Sequence, residues 1–427
     1  MILSEFQKKN TDEQESDSYA NYLLCLSLDI GEELLKSGAE VHRVENTIER
    51  ICMAYGAAHV EVFAITSLII ASVRMSDNSY SNQVRHVYNS SFHLSNLEEF
   101  NAVSRTICRD TPALEEADRM IREAKTRRNY PVLLLFLGSL LTSGSFTLFF
   151  GGSIRDAVVA LFIGIVVAAI DRIHSSYINQ LAKLVITSFV AGSLAYLSVM
   201  LGLGVNLDAI LIGTIMLLIP GLAFGNAVRD LLCGDILAGI LRTVQSCLSA
   251  VLIAFGFMMA ALLLESFGFV RAEITGGQPL WVELVSATIG TASFSLMFRS
   301  KVKYLPVVSV CGFFTISIYL FAASRGLSQF LCAFLAASFT MAFSEACARI
   351  LHAPTIAFSA PGAISIVPGS ALYYTMDALL FGESSRVSTY FTQTLLISAG
   401  IALGMVLVSI ITNSIVHLAQ NRRKKTE

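Results

Sequence analysis

The chain is short of charge. Of 427 residues only 15% are Asp, Glu, Lys or Arg, while 54% are hydrophobic and the mean hydropathy is +0.64. A soluble domain carries roughly 25% charged residues, so this composition excludes an ordinary soluble protein and points to the lipid bilayer as solvent. Net charge is −2 with a pI near 6.4, which supplies no basic field for nucleic acid. The eight cysteines lack CxxC spacing and a histidine cluster, so neither zinc nor a disulfide framework is expected, and no metal or cofactor is expected. Residues 1–17 lack a basic segment followed by an apolar one, so no cleavable signal is expected and the amino terminus is expected in the cytoplasm. Neither a Gly-x-Ser-x-Gly elbow nor a metal-ligand helix motif is present, which leaves little basis for an enzyme.

What is present is a repeat. Ile219-Pro220-Gly221-Leu222-Ala223, running on to Leu231-Leu232-Cys233-Gly234-Asp235, recurs 148 positions later as Pro368-Gly369, Ala371, Leu379-Leu380 and Gly382-Glu383. The same offset sets Ser145, Phe146, Leu148, Phe150 and Gly164 on Ser293, Phe294, Leu296, Phe298 and Gly312. From Pro131 onward the apolar runs lie near 131–150, 155–173, 182–202, 207–226 and 236–264, then 279–298, 303–321, 327–349, 354–375 and 387–415. Most are long enough to span at about 20 residues per crossing, and subtracting 148 from the last five reproduces the first five.

The expected fold is therefore a polytopic α-helical membrane protein of ten transmembrane helices in two five-helix repeats. The expected divisions are a polar lead 1–17, a cytoplasmic α/β domain 18–128, repeats 129–270 and 271–417, and a basic tail 418–427. An odd number of spans makes the two repeats inverted copies, an arrangement common in transporters. With the amino terminus inside, seventeen Lys and Arg residues fall in or beside the cytoplasmic connections and four on the other side, so both termini are expected in the cytoplasm. In the α/β domain, helices are expected over 18–37, 40–55, 97–109 and 112–127, with strands at Val60–Ile65, Ser67–Arg74 and Gln83–Phe92 around an Asp77-Asn78 turn.

Candidate site residues follow from the breaks. Pro220-Gly221, Pro368-Gly369 and Pro361-Gly362 open the helical hydrogen-bond ladder, and the exposed N–H end attracts carboxylates. Ser143, Ser145 and Ser293 beside small residues offer hydroxyls to a polar ligand, or serve close helix packing. Asp235 and Glu383, matched by the repeat, are candidates for proton coupling, or acids that favour a helix N-terminus, with Glu345 and Asp171 next in line. On the α/β domain Gly38, Glu40, His42, Arg43 and Glu45 form a motif in which His42 and Glu45, with Glu49, share a helix face. They could act as acid and base, or form a solvated face.

Gly31-Glu32-Glu33-Leu34-Leu35, Ser37-Gly38-Ala39-Glu40, Arg43-Val44-Glu45, Tyr55-Gly56 and Val60-Glu61-Val62-Phe63 resemble the cytoplasmic domain of the threonine/serine exporter family. Gly151-Gly152 with Asp156-Ala157, the Pro220-Gly221 segment, and Pro354, Pro361-Gly362 and Pro368-Gly369 resemble its membrane motifs, so the resemblance covers residues 20–415. It implies a fused single-chain, ten-helix inner-membrane exporter driven by the proton-motive force. The implied partners are threonine or serine, protons and the bilayer, with a homo-oligomer as the candidate assembly. The family includes split relatives that export succinate, so a dicarboxylate is the alternative substrate, with Arg229 and Arg242 as its candidate positive site. A membrane-tethered enzyme with its active site in residues 18–128 is the alternative from another class.

Overall fold

The computed structural model describes residues 2–88, 92–126, 130–173, 179–218, 226–227, 230–231, 234–265, 278–380, 382 and 384–424. Pro220, Gly221 and Glu383 lie outside them, as does Arg229. The chain forms two compact units: residues 1–130 with 233–241, and residues 131–232 with 242–427.

In the first unit a helix, α1 (Ile2–Lys36), leads into α2 (Val41–Ala54), strands β1 (Ala57–Ile65), β2 (Leu68–Met75) and β3 (Tyr80–His86), then α3 (Leu94–Asp110) and α4 (Leu114–Thr126). The expected polar lead is the first half of α1, because the sequence from Ile2 to Ile30 contains neither glycine nor proline to stop a helix. Gly31 instead lets α2 approach, since a Cβ there would lie 2.6 Å from Ile48. The strands form an antiparallel β1-β2-β3 meander. Period-two alternation buries Ile69, Ala71 and Val73 and leaves Phe63, Tyr80 and Val84 exposed, so one face of the sheet belongs to the core. The third strand begins at Tyr80 rather than Gln83. Asp77 Oδ1 accepts from Ser79 N at 2.9 Å with Asn78 at φ 69°, and this tight turn fixes the register so that Arg74 pairs with Tyr80.

Gly38, at φ +89°, ends the α1 helix, with Ala39 N donating to Leu34 O. Glu40 is the N-cap residue of α2, His42 is exposed, and Arg43 O accepts from Thr47 Oγ1. Glu45 reaches across to the sheet, where Oε1 accepts the Ala64 N–H at 2.8 Å. β1 is an edge strand, so this carboxylate satisfies a donor that the ladder leaves outside. Burial pushes the Glu45 carboxyl up from its ordinary value, the Ala64 bond opposes that, and Asp235 in the same unit adds to it. A raised folded-state value means the contribution to stability is present at low pH and is lost as pH rises through that value. Glu45→Gln keeps an acceptor without the charge and should hold or slightly raise the melting temperature of the full-length protein at pH 7, while Glu45→Ala should lower stability by about 1 kcal/mol. Thermal unfolding from pH 4 to 8 checks this, and equal losses in both variants would contradict it.

The second unit is helical: α5 (Val132–Phe149), α6 (Ile154–Arg172), α7 (Gln180–Met200), α8 (Leu207–Ile215), α9 (Ile236–Glu265, of which the part from Arg242 belongs to this unit), α10 (Leu280–Met297), α11 (Leu305–Ser324), α12 (Gln329–Leu351), α13 (Ile356–Gly362), α14 (Gly369–Leu380) and α15 (Ser384–Lys424). Among the described residues seven helices are long and apolar enough to cross a membrane, or eight if the bent α13–α14 pair is one span. α6 is not among them because Arg155, Asp156, Asp171 and Arg172 sit at its ends.

The offset of 148 reappears in three dimensions. Val132–Phe149 shifted by 148 lands on Leu280–Met297, and the first residue of α9, Ile236, lands on Ser384, the first of α15. One buried cluster joins Phe146 with Phe294 and Met216 with Ile364, flanked by Phe149 with Met297 and Phe150 with Phe298, each pair 148 apart. Phe146 and Phe294 meet edge to face at 5.8 Å. Contacts between α5 and α10 run in opposite directions. Gly138 faces Leu296 and Met297, Thr142 bonds Ser293 at 2.7 Å, and Phe146 covers Gly290. Close helix crossings recur too: a Cβ on Gly256 would meet Val185 O at 2.7 Å, and one on its mate Gly404 would meet Phe334 O at 2.6 Å. In lipid such backbone approach, rather than apolar burial, holds helices together.

Candidate functional site

The site is built on the second break. Pro361 lies inside α13 and cannot donate to the carbonyl of Ala357; the helix ends at Gly362. A short 3-10 turn, Ile364–Ile366, follows, and Val367 turns extended before Pro368. Gly369 then starts α14, and the two segments are bent by 51°. This is the interruption expected at Pro361-Gly362 and Pro368-Gly369. The first turn of α14 has N–H groups without partners in its own helix, and these favour an anionic group.

Hydroxyls surround the bend. Ser365 Oγ lies 2.9 Å from Thr291 Oγ1 on α10, and Thr291 Oγ1 donates to Ala287 O at 2.8 Å, so Ser365 is the donor between them. Thr315 on α11 and Thr340 on α12 meet at 2.7 Å, and each also lies 2.8 Å from the carbonyl four residues earlier in its own helix. The two hydroxyl hydrogens can fill only two of these three short contacts, and both side chains are completely buried. Gly362 fits between these helices, where a Cβ would lie 2.7 Å from Cys311 Sγ and 3.1 Å from Thr340 Cγ2. Ser295, fully buried on α10, has no hydrogen-bond partner for Oγ among the described residues.

The serines singled out in the sequence make other contacts, Ser143 and Ser145 on α5 and Ser293 on α10. Ser143 donates to Ala160 O at 2.6 Å at the α5–α6 crossing, and Ser145 donates to Thr142 O at 3.1 Å. Ser293 donates to Gly290 O and so accepts from Thr142 across the α5–α10 contact. The break is served by Thr291, Ser365, Thr315 and Thr340, which the sequence reading passed over. Thr291 had a signal, since it is 148 residues from Ser143; the others had none.

The acids separate. Asp171 has a side chain 80% exposed and pairs with Lys183 at 3.3 Å, an ion pair open to its surroundings. Glu345, 15% exposed, faces Arg349 at 3.6 Å and accepts from Thr355 Oγ1 at 3.4 Å. Asp235 precedes α9 and belongs to the first unit. Two further acids matter more. Asp156, completely buried, accepts from Ser153 N and Oγ and from Val205 N and Asn206 N. Asp230, 2% exposed, pairs with Arg242 at 3.3 Å; Arg229, the other cation considered for a dicarboxylate, lies outside the described residues.

A family model described as "Putative threonine/serine exporter" matches residues 26–264, and another, described as "Threonine/Serine exporter, ThrE", matches residues 283–411. No curated protein and no solved structure matches the chain. The first of these models alone spans more than half of the sequence, and with the second it takes in both helical halves: the chain belongs to the threonine/serine exporter family.

Proposed function

We propose that the protein is a secondary active transporter that exports threonine and serine across the inner (plasma) membrane. The observation that carries this reading is the hydroxyl-lined break at Pro368-Gly369 in a chain that matches exporter models in both halves. A hydroxy amino acid needs donors for its carboxylate and acceptors for its ammonium and hydroxyl. The start of α14 favours an anionic group and can share the carboxylate with a cation, and Thr291, Ser365, Thr315 and Thr340 offer partners to the substrate's hydroxyl.

The architecture in this reading is ten crossings: the seven apolar helices, α6, and the two interrupted segments that begin at Leu207 and Ile356. The antiparallel contacts of α5 with α10 and the cluster of residues 148 apart support an inverted repeat. The domain of residues 18–128, with the polar lead, then lies in the cytoplasm together with both termini, in keeping with the Lys/Arg distribution. We assign the driving force to protons. Of the four acids considered, Glu345 suits the role best, being largely withdrawn from water beside a cation that can trade partners. An active site on the first unit gains no support, because Glu45 is occupied by the sheet edge.

Vesicles loaded with labelled threonine, serine or succinate test the substrate class. Threonine and serine are expected to leave at least about tenfold faster than succinate, a difference of about 1.4 kcal/mol. Succinate leaving faster would overturn the assignment.

A further inference from the structure

At the described residues the offset of 148 does not carry the ion pair Asp230–Arg242 into the other half of the second unit. The pair's repeat mates are Ala378, 2% exposed, and Tyr390, which stacks on Tyr374 at 5.1 Å. An alanine and an aromatic ring fill those two places in the other half, so the helical arrangement by itself does not call for a charge pair. Arg242 Nε lies 3.3 Å from Asp230 Oδ2, with side-chain exposures of 11% and 3%. Withdrawing two charges from water at best breaks even against apolar residues of similar volume, so packing gives no reason for the pair.

What such a pair can do is change partners. An α-amino acid carries one carboxylate and one ammonium on the same carbon, and the guanidinium fork matches a carboxylate while the aspartate matches an ammonium. Exchanging an internal pair for two substrate pairs keeps every buried charge compensated. A dicarboxylate could satisfy Arg242 but would press its second charge against Asp230.

We propose that Asp230 and Arg242 are the zwitterion-recognition pair of the transporter: closed on each other without substrate, they separate to hold the substrate's ammonium and carboxylate. This rests on the threonine/serine export reading and adds to it the groups that select α-amino acids.

The test uses the full-length protein in proteoliposomes, with labelled threonine and two competitors. Threoninol lacks the carboxylate, and 3-hydroxybutyrate lacks the ammonium. In Arg242→Gln the KM for threonine should rise about tenfold or more while inhibition by threoninol stays as in the wild type. In Asp230→Asn threonine should weaken equally while 3-hydroxybutyrate inhibits as well as before or better. Should either single variant fail to insert, the double variant Asp230→Asn/Arg242→Gln decides, since it keeps hydrogen-bonding groups and removes both charges; its KM should rise by at least the same factor. A wild-type KM in the double variant, or a parallel shift of threonine and both competitors in the single variants, overturns the proposal. If the wild-type protein moves neither threonine nor serine, the export reading fails and this assignment with it; if it moves them and the variants keep their KM, only the pair assignment fails.

Discussion

Asp156→Ala is expected to lower the melting temperature of the detergent-solubilised protein by about 10 °C, the largest stability effect of any single substitution considered for the second unit. The carboxylate accepts four hydrogen bonds: Ser153 N at 2.8 Å, Ser153 Oγ at 2.7 Å, Val205 N at 2.6 Å and Asn206 N at 3.0 Å. It thereby ties the first turn of α6 to the connection between α7 and α8. Hydrogen bonds to a charged acceptor contribute about 1.5–3 kcal/mol each, and buried donors left unpaired lose the full desolvation term, so a total near 4 kcal/mol is a conservative sum. The connection cannot drift away to find other partners, because a Cβ on Gly204 would already lie 2.8 Å from Ile210 and 3.3 Å from Asp156 Oδ1. Asp156→Asn should fall between, since the amide keeps one acceptor and turns a donor toward another donor. Melting followed by intrinsic fluorescence and by loss of the monodisperse peak measures both. A melting temperature for the alanine variant within a degree or two of wild type would show that the latch is dispensable.

Gly362→Leu is expected to reduce threonine efflux by at least about tenfold, roughly 1.4 kcal/mol of barrier, with the protein still inserted in the membrane. The position has no room for a side chain: Cys311 Sγ and Thr340 Cγ2 bound it on two sides, and overpacking a well-filled contact costs about 1–3 kcal/mol. The added carbons can be accommodated only if α11 and α12 move away from the bend, which separates the hydroxyls of Thr315 and Thr340 from it. The series has an internal control. Gly362→Ala should reduce efflux less, and Gly362→Ala combined with Cys311→Ala should restore much of it, because removing the sulfur removes the 2.7 Å clash and leaves Thr340 Cγ2 at 3.1 Å as the nearest atom, a contact that a shift of a few tenths of an ångström relieves. Wild-type efflux from the leucine variant would remove the bend from the transport cycle.

Much of the fold was legible in the chain because a bilayer imposes long apolar segments on whatever crosses it and because segments 148 residues apart share their pattern. Val132–Phe149 and Leu280–Met297 fall within a residue of the runs expected there, and the bend appears at the Pro-Gly pair that marked it. In the first unit the alternation of Val60 to Ile65 and of Ser67 to Arg74 located two strands, since period-two burial is a local property. β3 starts three residues and ends six residues before the expected Gln83–Phe92, because its register belongs to the Asp77-Asn78 turn rather than to its own pattern.

The roles of single polar residues were decided only by tertiary structure. A serine among small residues reads the same whether its hydroxyl faces a ligand or a neighbouring carbonyl, and the fold turned Ser143 to Ala160 and Thr291 to Ser365. An acid near a helix end reads the same whether it is solvated or enclosed, and the fold exposed Asp171, buried Asp156 under four donors, and closed Asp230 on Arg242. The physical reason is that periodicity and hydropathy are sums over many residues and survive any local detail. Hydrogen bonds and ion pairs depend instead on single atoms brought within 3 Å by segments far apart in the chain, such as Asp156 and Val205 or Thr142 and Ser293.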